Sequence, residues 1–165
     1  MAKLNLVSKK YPNLHTEIDD EYYDEVSKII WYPEKKKNRT AIYAIGKYKN
    51  KNVYLHRFIM KLLEGDSKII VDHIDKNGLN NKKENLRLCT QAENLRNSEK
   101  RKSKKQTSIY KGVEWKKDRN KWRCRIKYNY KSIHLGTFED EKEAALAYNK
   151  KAKELFGEFA SLNIL

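Results

Sequence analysis

Strand, loop, strand and helix follow one another between Lys68 and Asn97, a stretch so short that it leaves little freedom in how the chain folds there. Lys68-Ile69-Ile70-Val71-Asp72-His73-Ile74 is a β-branched run and reads as a strand. Asp75-Lys76-Asn77-Gly78 supplies a turn, Asn-Gly being a strong short-range hairpin signal. Asn85-Leu86-Arg87-Leu88-Cys89-Thr90 alternates as a second strand, and Thr90-Gln91-Ala92-Glu93 fits a capping box that opens a helix carrying Asn94 and Leu95.

Around this unit the chain divides into further segments. Residues 1–66 read as a mixed α/β region that braces 67–97. Asp19-Asp20-Glu21, followed by Tyr22, Tyr23, Val26 and Ile29, predicts a capped amphipathic helix with acids in its first turn. Ile29 to Tyr32, Thr40 to Tyr48 and Asn52 to Leu55 read as strands, the first two separated by the basic loop Lys35-Lys36-Lys37-Asn38-Arg39. His56 to Leu63 has helical spacing, with Gly65 as its stop. Residues 98–107 contain no apolar side chain, cannot join a core, and read as a basic linker that is either a phosphate clamp or, the favoured reading, a flexible tether. Residues 108–165 predict three strands at 111–116, 121–128 and 131–136. A helix capped by Asp140 then runs to about Phe156, with an inward stripe of Ala144, Ala147, Tyr148, Ala152 and Leu155.

Charge narrows the class of partner. The 165 residues carry 37 Lys and Arg against 22 acids, a net +15. From Ser98 to Lys131 there are 14 basic residues and three acids, interleaved with Tyr110, Trp115, Trp122, Tyr128 and Tyr130. A one-sign field threaded with aromatics points to a polyanion-binding face. The segment alternates like strands and lacks the basic amphipathic helix of a membrane-surface binder, which favours nucleic acid over lipid. The two cysteines, Cys89 and Cys124, form no C-x-x-C pair, so neither a disulfide scaffold nor structural zinc is expected; both read as buried small hydrophobes. No apolar run is long enough to span a bilayer, and MAKLNLVSKKYP has no signal-peptide core, so a soluble cytoplasmic location is expected.

The chemistry concentrates in four residues. With Asp72 and His73 ending the first strand and Asn94 on the first turns of the helix, a carboxylate and an amide oxygen can meet at one divalent ion. Hard oxygen donors suit Mg²⁺ better than zinc. His73, on the other side of the strand, can take a proton from water attacking a phosphodiester. Asn85 can hold the intervening loop through its side-chain amide.

The segment L-H-R-F-I-M … V-D-H-I-D-K-N-G-L-N-N-K-K-E-N-L-R-L-C-T-Q-A-E-N resembles the HNH endonuclease family, and within it the phage and intron-encoded homing enzymes. Its His–Asn–Asn spacing is similar to the variant in which Asn replaces the final His. The resemblance implies a ββα-metal fold. Asp72 and Asn94 would bind Mg²⁺ (or Mn²⁺), His73 would be the general base and Asn85 the structural asparagine of the catalytic motif. One-metal hydrolysis would leave 5′-phosphate and 3′-hydroxyl ends. The last segment has a second resemblance. Y-K-G-V-E-W, K-W-R-C-R-I-K, I-H-L-G-T-F-E-D-E-K-E-A-A-L-A-Y and A-S-L-N are similar to an AP2 DNA-binding domain, which lays a three-stranded sheet into the major groove. Alternation independently puts Trp122, Cys124 and Ile126 toward the helix and Arg123, Arg125 and Lys127 on the opposite face. The family's contacts would carry over to Lys111, Lys116, Arg125, Lys127 and His134. Glu114 and His134 depart from the usual Arg and Trp of the plant domains, so base preference does not transfer.

Several residues admit two readings. Arg87 either contacts a phosphate or is a solvated strand residue. His56 is read as a core or hydrogen-bonded histidine in preference to an active-site one, and Asn77, Gly78 and Asn80 as turn residues. Trp115 stacks on DNA or packs a hairpin. The fold expected is α+β, a ββα nuclease unit between a mixed N-terminal region and a three-stranded sheet with a helix. The function expected is a site-recognising, metal-dependent endonuclease on double-stranded DNA. One active centre per chain predicts nicking by a monomer or a double-strand break by a dimer. The alternative is a catalytically inert DNA-binding regulator.

Overall fold

The computed structural model describes residues 1–35, 41–63, 68–97 and 106–165. Its architecture is α+β, built from small antiparallel sheets and short helices, and it falls into two compact units, Met1–Gln91 and Ala92–Leu165. Among the described residues no helix is long and apolar enough to cross a membrane.

The first unit opens with two strands that carry no sequence signal. β1 (Ala2–Asn5) pairs antiparallel with β2 (His15–Ile18), Ala2 opposite Ile18. At four residues each they are too short for a periodic pattern to register. The predicted amphipathic helix is reduced to a 3-10 turn at Asp20–Tyr22 and a single turn, α1 (Tyr23–Val26). Asp19 makes no cap: its carboxylate instead accepts the Lys83 amide N–H at 2.8 Å, so a tertiary contact takes the oxygen that local capping would use. β3 (Trp31–Glu34), β4 (Tyr43–Tyr48) and β5 (Lys51–Tyr54) form a meander in that order. Gly46 lies opposite Trp31, and a Cβ there would come within 2.8 Å of the indole, so only glycine lets this buried ring lie across the sheet. α2 (Leu55–Ile59) is shorter than its predicted span because Lys61 turns to φ 54, outside the helical region. The predicted stop at Gly65, most of the basic loop at 35–39, and Thr40 lie outside the described residues.

β6 (Ile69–His73) pairs with β7 (Leu86–Thr90), from Ile69 opposite Thr90 to His73 opposite Leu86. The connection, residues 74–85, is the long loop that the spacing of the two predicted strands leaves, and it ends in a 3-10 turn at Lys83–Asn85. Within it Asp75 Oδ1 accepts the Asn77 N–H at 2.8 Å and Asn77 Oδ1 accepts the Leu79 N–H at 3.1 Å, two successive Asx turns. The loop docks on β2: the Glu17 N–H donates to the Leu79 carbonyl and the Asn81 N–H to the Glu17 carbonyl, both at 2.8 Å. One apolar cluster joins Leu6, Ile18, Val26, Trp31, Leu55 and Phe58 to Val71 of β6 and Leu86 of β7. The β6–β7 ribbon thus shares its core with the N-terminal strands and helices.

In the second unit α3 (Gln91–Asn97), whose first residue closes the first unit, is followed by β8 (Val113–Lys116), β9 (Lys121–Tyr128) and β10 (Lys131–Phe138), with β9 central in an antiparallel sheet. α4 (Glu141–Phe156) begins at Asp140, whose Oδ1 accepts the Lys142 and Glu143 N–H groups at 2.7 and 2.9 Å. Cys124 and Ile126 of the sheet pack against Ala144, Ala145, Tyr148 and Ala152, with Trp122, Ala147 and Leu155 at the margin. The three fully buried alanines let helix and sheet approach closely. Gly112, at φ +78, leaves room for the Tyr148 ring, which a Cβ would meet at 2.2 Å. Ala145 joins the interface although the sequence stripe omitted it, and residues 98–105 of the linker lie outside the described part.

Candidate active site

His73 ends β6 and is buried, with Nε2 3.2 Å from Asn81 Oδ1. The Asn81 amide has a fixed sense, because its Nδ2 donates to Thr16 Oγ1 at 2.7 Å and to the Gly78 carbonyl at 3.3 Å. Thr16 in turn donates to the Leu79 carbonyl at 2.7 Å. Asn81 Oδ1 can therefore only accept, which places the imidazole proton on Nε2 and makes Nδ1 the basic nitrogen. Burial lowers the His73 pKa below the ordinary histidine value, against the raising effects of the Asn81 hydrogen bond and the carboxylates of Asp75 and Asp72. A neutral imidazole with one nitrogen fixed as donor is the form a general base needs.

The other wall of the site is aromatic. The His56 ring meets His73 edge-to-face at 5.0 Å, Tyr54 stacks on His56 at 5.3 Å, and Tyr43 stands 5.8 Å from each histidine. His56 is nine-tenths buried and its Nδ1 has no hydrogen-bond partner. Burial, then the neighbouring His73 and Arg57 charges, push its pKa down to about 3, so it stays neutral. His56 is buried as its reading as a core histidine expects, and the packing sets its ring against His73. Gly78 completes the enclosure: a Cβ there would lie 2.4 Å from the Ile42 carbonyl and 2.7 Å from the Tyr43 ring, so only glycine brings the loop this close.

Asp72 and Arg87 face each other across β6 and β7, and Arg87 Nη2 and Nε donate to Asp72 Oδ2 at 2.9 and 3.2 Å. Both side chains are about nine-tenths buried, so Arg87 is not the solvated strand residue that one sequence reading made it. The Arg87 guanidinium supplies the positive charge that a buried carboxylate requires. Among the described residues no group of three or more His, Cys, Asp or Glu forms a metal cage. The Asp72 carboxylate is a hard oxygen donor of the kind that a hydrated divalent cation takes from a protein. Asn85 is buried and locks the loop: Nδ2 donates to Asp75 Oδ1 at 2.9 Å and to the Asn80 carbonyl at 2.8 Å, while Oδ1 accepts the Asp75 N–H at 3.0 Å. Asn94 lies on α3, in the second unit. The structure thus brings together Asp72, His73, Asn85 and Arg87, and adds His56, Asn81 and Thr16. Asn81 stands in an Asn-Asn doublet that reads as turn material, and the doublet is the only signal that could have singled it out.

The sheet residues divide. Arg125, Lys127 and His134 are exposed, and a groove of about 410 Å³ is lined by Lys116, Arg119, Arg123, Arg125 and His134, together with Asp118 and others. Lys111 lines a second groove with Glu114, Arg125 and Lys127; its Nζ donates to the Arg96 carbonyl at 2.9 Å, near the end of α3, and its backbone is clamped on both sides by Asn163. Trp115 packs against Trp122 at 5.0 Å.

The family model described as HNH endonuclease matches residues 53–96, a span that contains His56, Asp72, His73, Asn81, Asn85 and Asn94. A protein of Acanthamoeba polyphaga mimivirus named as an uncharacterized HNH endonuclease is 40% identical over 141 residues, 84% of this chain and 68% of that protein. Protein 3.8 of Escherichia phage T7 is 38% identical over 90 residues, 54% of this chain and 72% of that protein. No solved structure matches the chain significantly.

Proposed function

The chain belongs to the HNH endonuclease family, and from that premise we propose that it is a site-recognising, Mg²⁺-dependent DNA endonuclease of homing type. Its nuclease activity on DNA follows from the family; the metal, the homing role and the mode of cutting are our reading. The observation that carries the reading is the buried His73, whose Nε2–H is donated to Asn81 Oδ1, a tautomer in which Nδ1 is the basic nitrogen.

In this reading His73 Nδ1 takes a proton from the water that attacks the scissile phosphorus. The P–O3′ bond breaks and the departing 3′-oxygen takes a proton from solvent water, leaving a 5′-phosphate on one fragment and a 3′-hydroxyl on the other. Asp72 would hold a divalent ion, with Asn94 as the second ligand that the family resemblance implies, and the ion would supply positive charge against the pentacovalent phosphate and the departing 3′-oxygen. Arg87, already beside Asp72, keeps that carboxylate compensated. Asn85 sets the loop that carries Asn81, by binding the Asn80 carbonyl and the Asp75 backbone at once. Tyr43, Tyr54 and His56 keep water away from one side of the base, and the low pKa of His56 prevents a second positive charge from opposing protonation of His73. The second unit acts as an AP2-type targeting domain, its sheet contacting the major groove through Arg123, Arg125, Lys127 and His134 with Lys116 at the edge. A single centre per chain nicks one strand; a dimer would cut both. The viral relatives support a protein working in the cytoplasm of an infected host cell.

The end chemistry supplies a test. Nicked circles made in Mg²⁺ should be resealed by DNA ligase without prior kinase or phosphatase treatment, and Asp72→Asn should make none. Nicks that ligase cannot seal, or an Asp72→Asn protein as active as the parent, would refute the mechanism.

A further inference from the structure

The outward face of the β8–β10 sheet carries a single acid at its strand positions among the described residues, and it sits where the positive charge is densest. Glu114 of β8 stands directly opposite Arg123 of β9. Arg123 Nη2 donates to Glu114 Oε2 at 2.6 Å, Lys116 Nζ to Oε1 at 3.0 Å, and Arg125 Nη2 lies 3.8 Å from Oε2. Chiefly the Arg123 hydrogen bond, with the Lys116 bond and both charges adding to it, lowers the carboxyl pKa. Three cations therefore converge on one ionised group. Arg123 Nε is buried without a hydrogen-bond partner, a donor aimed from the same cluster with nothing to receive it. If the face served only to grip phosphates, a carboxylate at its centre would repel the backbone and remove cations from use. A carboxylate has one favourable role against a major-groove edge, accepting from an exocyclic amino group, and cytosine N4 suits it better than adenine N6, which stands beside the N7 acceptor.

Resting on the reading of this sheet as the DNA-binding face, we propose that Glu114 is a specificity-determining residue that accepts from a cytosine N4 amino group and holds Arg123 and Lys116 in the alignment that reads the neighbouring bases. It sets base preference at the expense of indiscriminate affinity.

The test uses the full chain carrying His73→Ala, in EDTA so that bound DNA stays intact, with a pool of duplexes of randomised core as probe. The parent should enrich duplexes with cytosine at one fixed position. Glu114→Ala should lose that preference, and Glu114→Gln should move it toward adenine, which glutamine pairs through N6 and N7. On a random-sequence duplex both variants should bind more tightly and with a steeper salt dependence, by about one unit of log–log slope for one added phosphate contact. Unchanged selection, or weaker random-sequence binding, in folded Glu114→Ala and Glu114→Gln would overturn the inference. Arg125→Ala separates the two levels. If it weakens binding while the Glu114 variants behave as the parent, the inference alone fails; if it binds as tightly as the parent, the sheet is not the DNA face and both fail.

Discussion

Replacing His56 by phenylalanine should make the first unit markedly less sensitive to acid. In the folded chain His56 is neutral down to pH about 3, because it is buried beside His73 and Arg57. In the unfolded chain it takes up a proton near the ordinary histidine value of about 6.5. Between those two values the unfolded state binds the extra proton, so stability is lost as pH falls from about 6.5 toward 3. From pH 7 to pH 5 this one residue removes about 2 kcal/mol, at roughly 1.4 kcal/mol per pH unit once the unfolded ring is titrating. Urea unfolding of wild type and His56→Phe at both pH values, followed by tyrosine and tryptophan fluorescence, measures the difference. The two proteins can differ in absolute stability without affecting the comparison, since only the change with pH is read. The variant should lose about 2 kcal/mol less than wild type over this interval. Equal losses would show that His56 is protonated in the folded state, and the neutral aromatic wall beside His73 would be wrong.

Other perturbations follow from the same geometry. Asn85→Ala removes three hydrogen bonds from a buried loop anchor and should cost about 2–4 kcal/mol by denaturant unfolding; a loss below 1 kcal/mol (roughly the worth of one such bond) would mean the loop holds itself. Arg87→Ala leaves Asp72 buried without its cation and should destabilise by about 3 kcal/mol, with added Mg²⁺ recovering part of the loss in thermal melts. No recovery would argue against Asp72 as a cation ligand. Asp140→Ala deletes the α4 cap and should cost about 1 kcal/mol while leaving cleavage chemistry intact. Because burial lowers the His73 pKa, the single-turnover cleavage rate should rise with pH through a midpoint below the ordinary histidine value and then level off; a midpoint above that value would point to another base.

Legibility in the sequence followed the range of the interactions involved. The cap of α4 is written within four residues, Asp140 to Glu143, and it forms as read. The strands at 69–73 and 86–90 were visible because β-branched runs and alternation are local signals. Asp19 carried the same capping signal as Asp140, yet its carboxylate went to the Lys83 amide, a partner 64 residues away that no local pattern announces. Asn81 escaped notice for the same reason: its role depends on Thr16, on a four-residue strand with no periodic signature. Asp75 to Gly78 turns as read, through the Asp75 and Asn77 side chains, but the docking of that loop on β2 has no local signal. His56 looked like a core histidine, and its burial agrees, but its position against His73 depends on how α2 and β6 pack. The Lys111 ammonium donates to a carbonyl of α3, a bond that no local pattern announces.

The central claim, that His73 is the base of a metal-dependent DNA endonuclease, is tested most directly by incubating supercoiled plasmid carrying the DNA around the protein's own gene with wild type and His73→Ala, in Mg²⁺ and in EDTA. The account predicts conversion to open circle by wild type in Mg²⁺ alone, and its loss in His73→Ala with DNA binding retained. Tight binding by wild type without cleavage in either Mg²⁺ or Mn²⁺, or cleavage that survives His73→Ala, would contradict it.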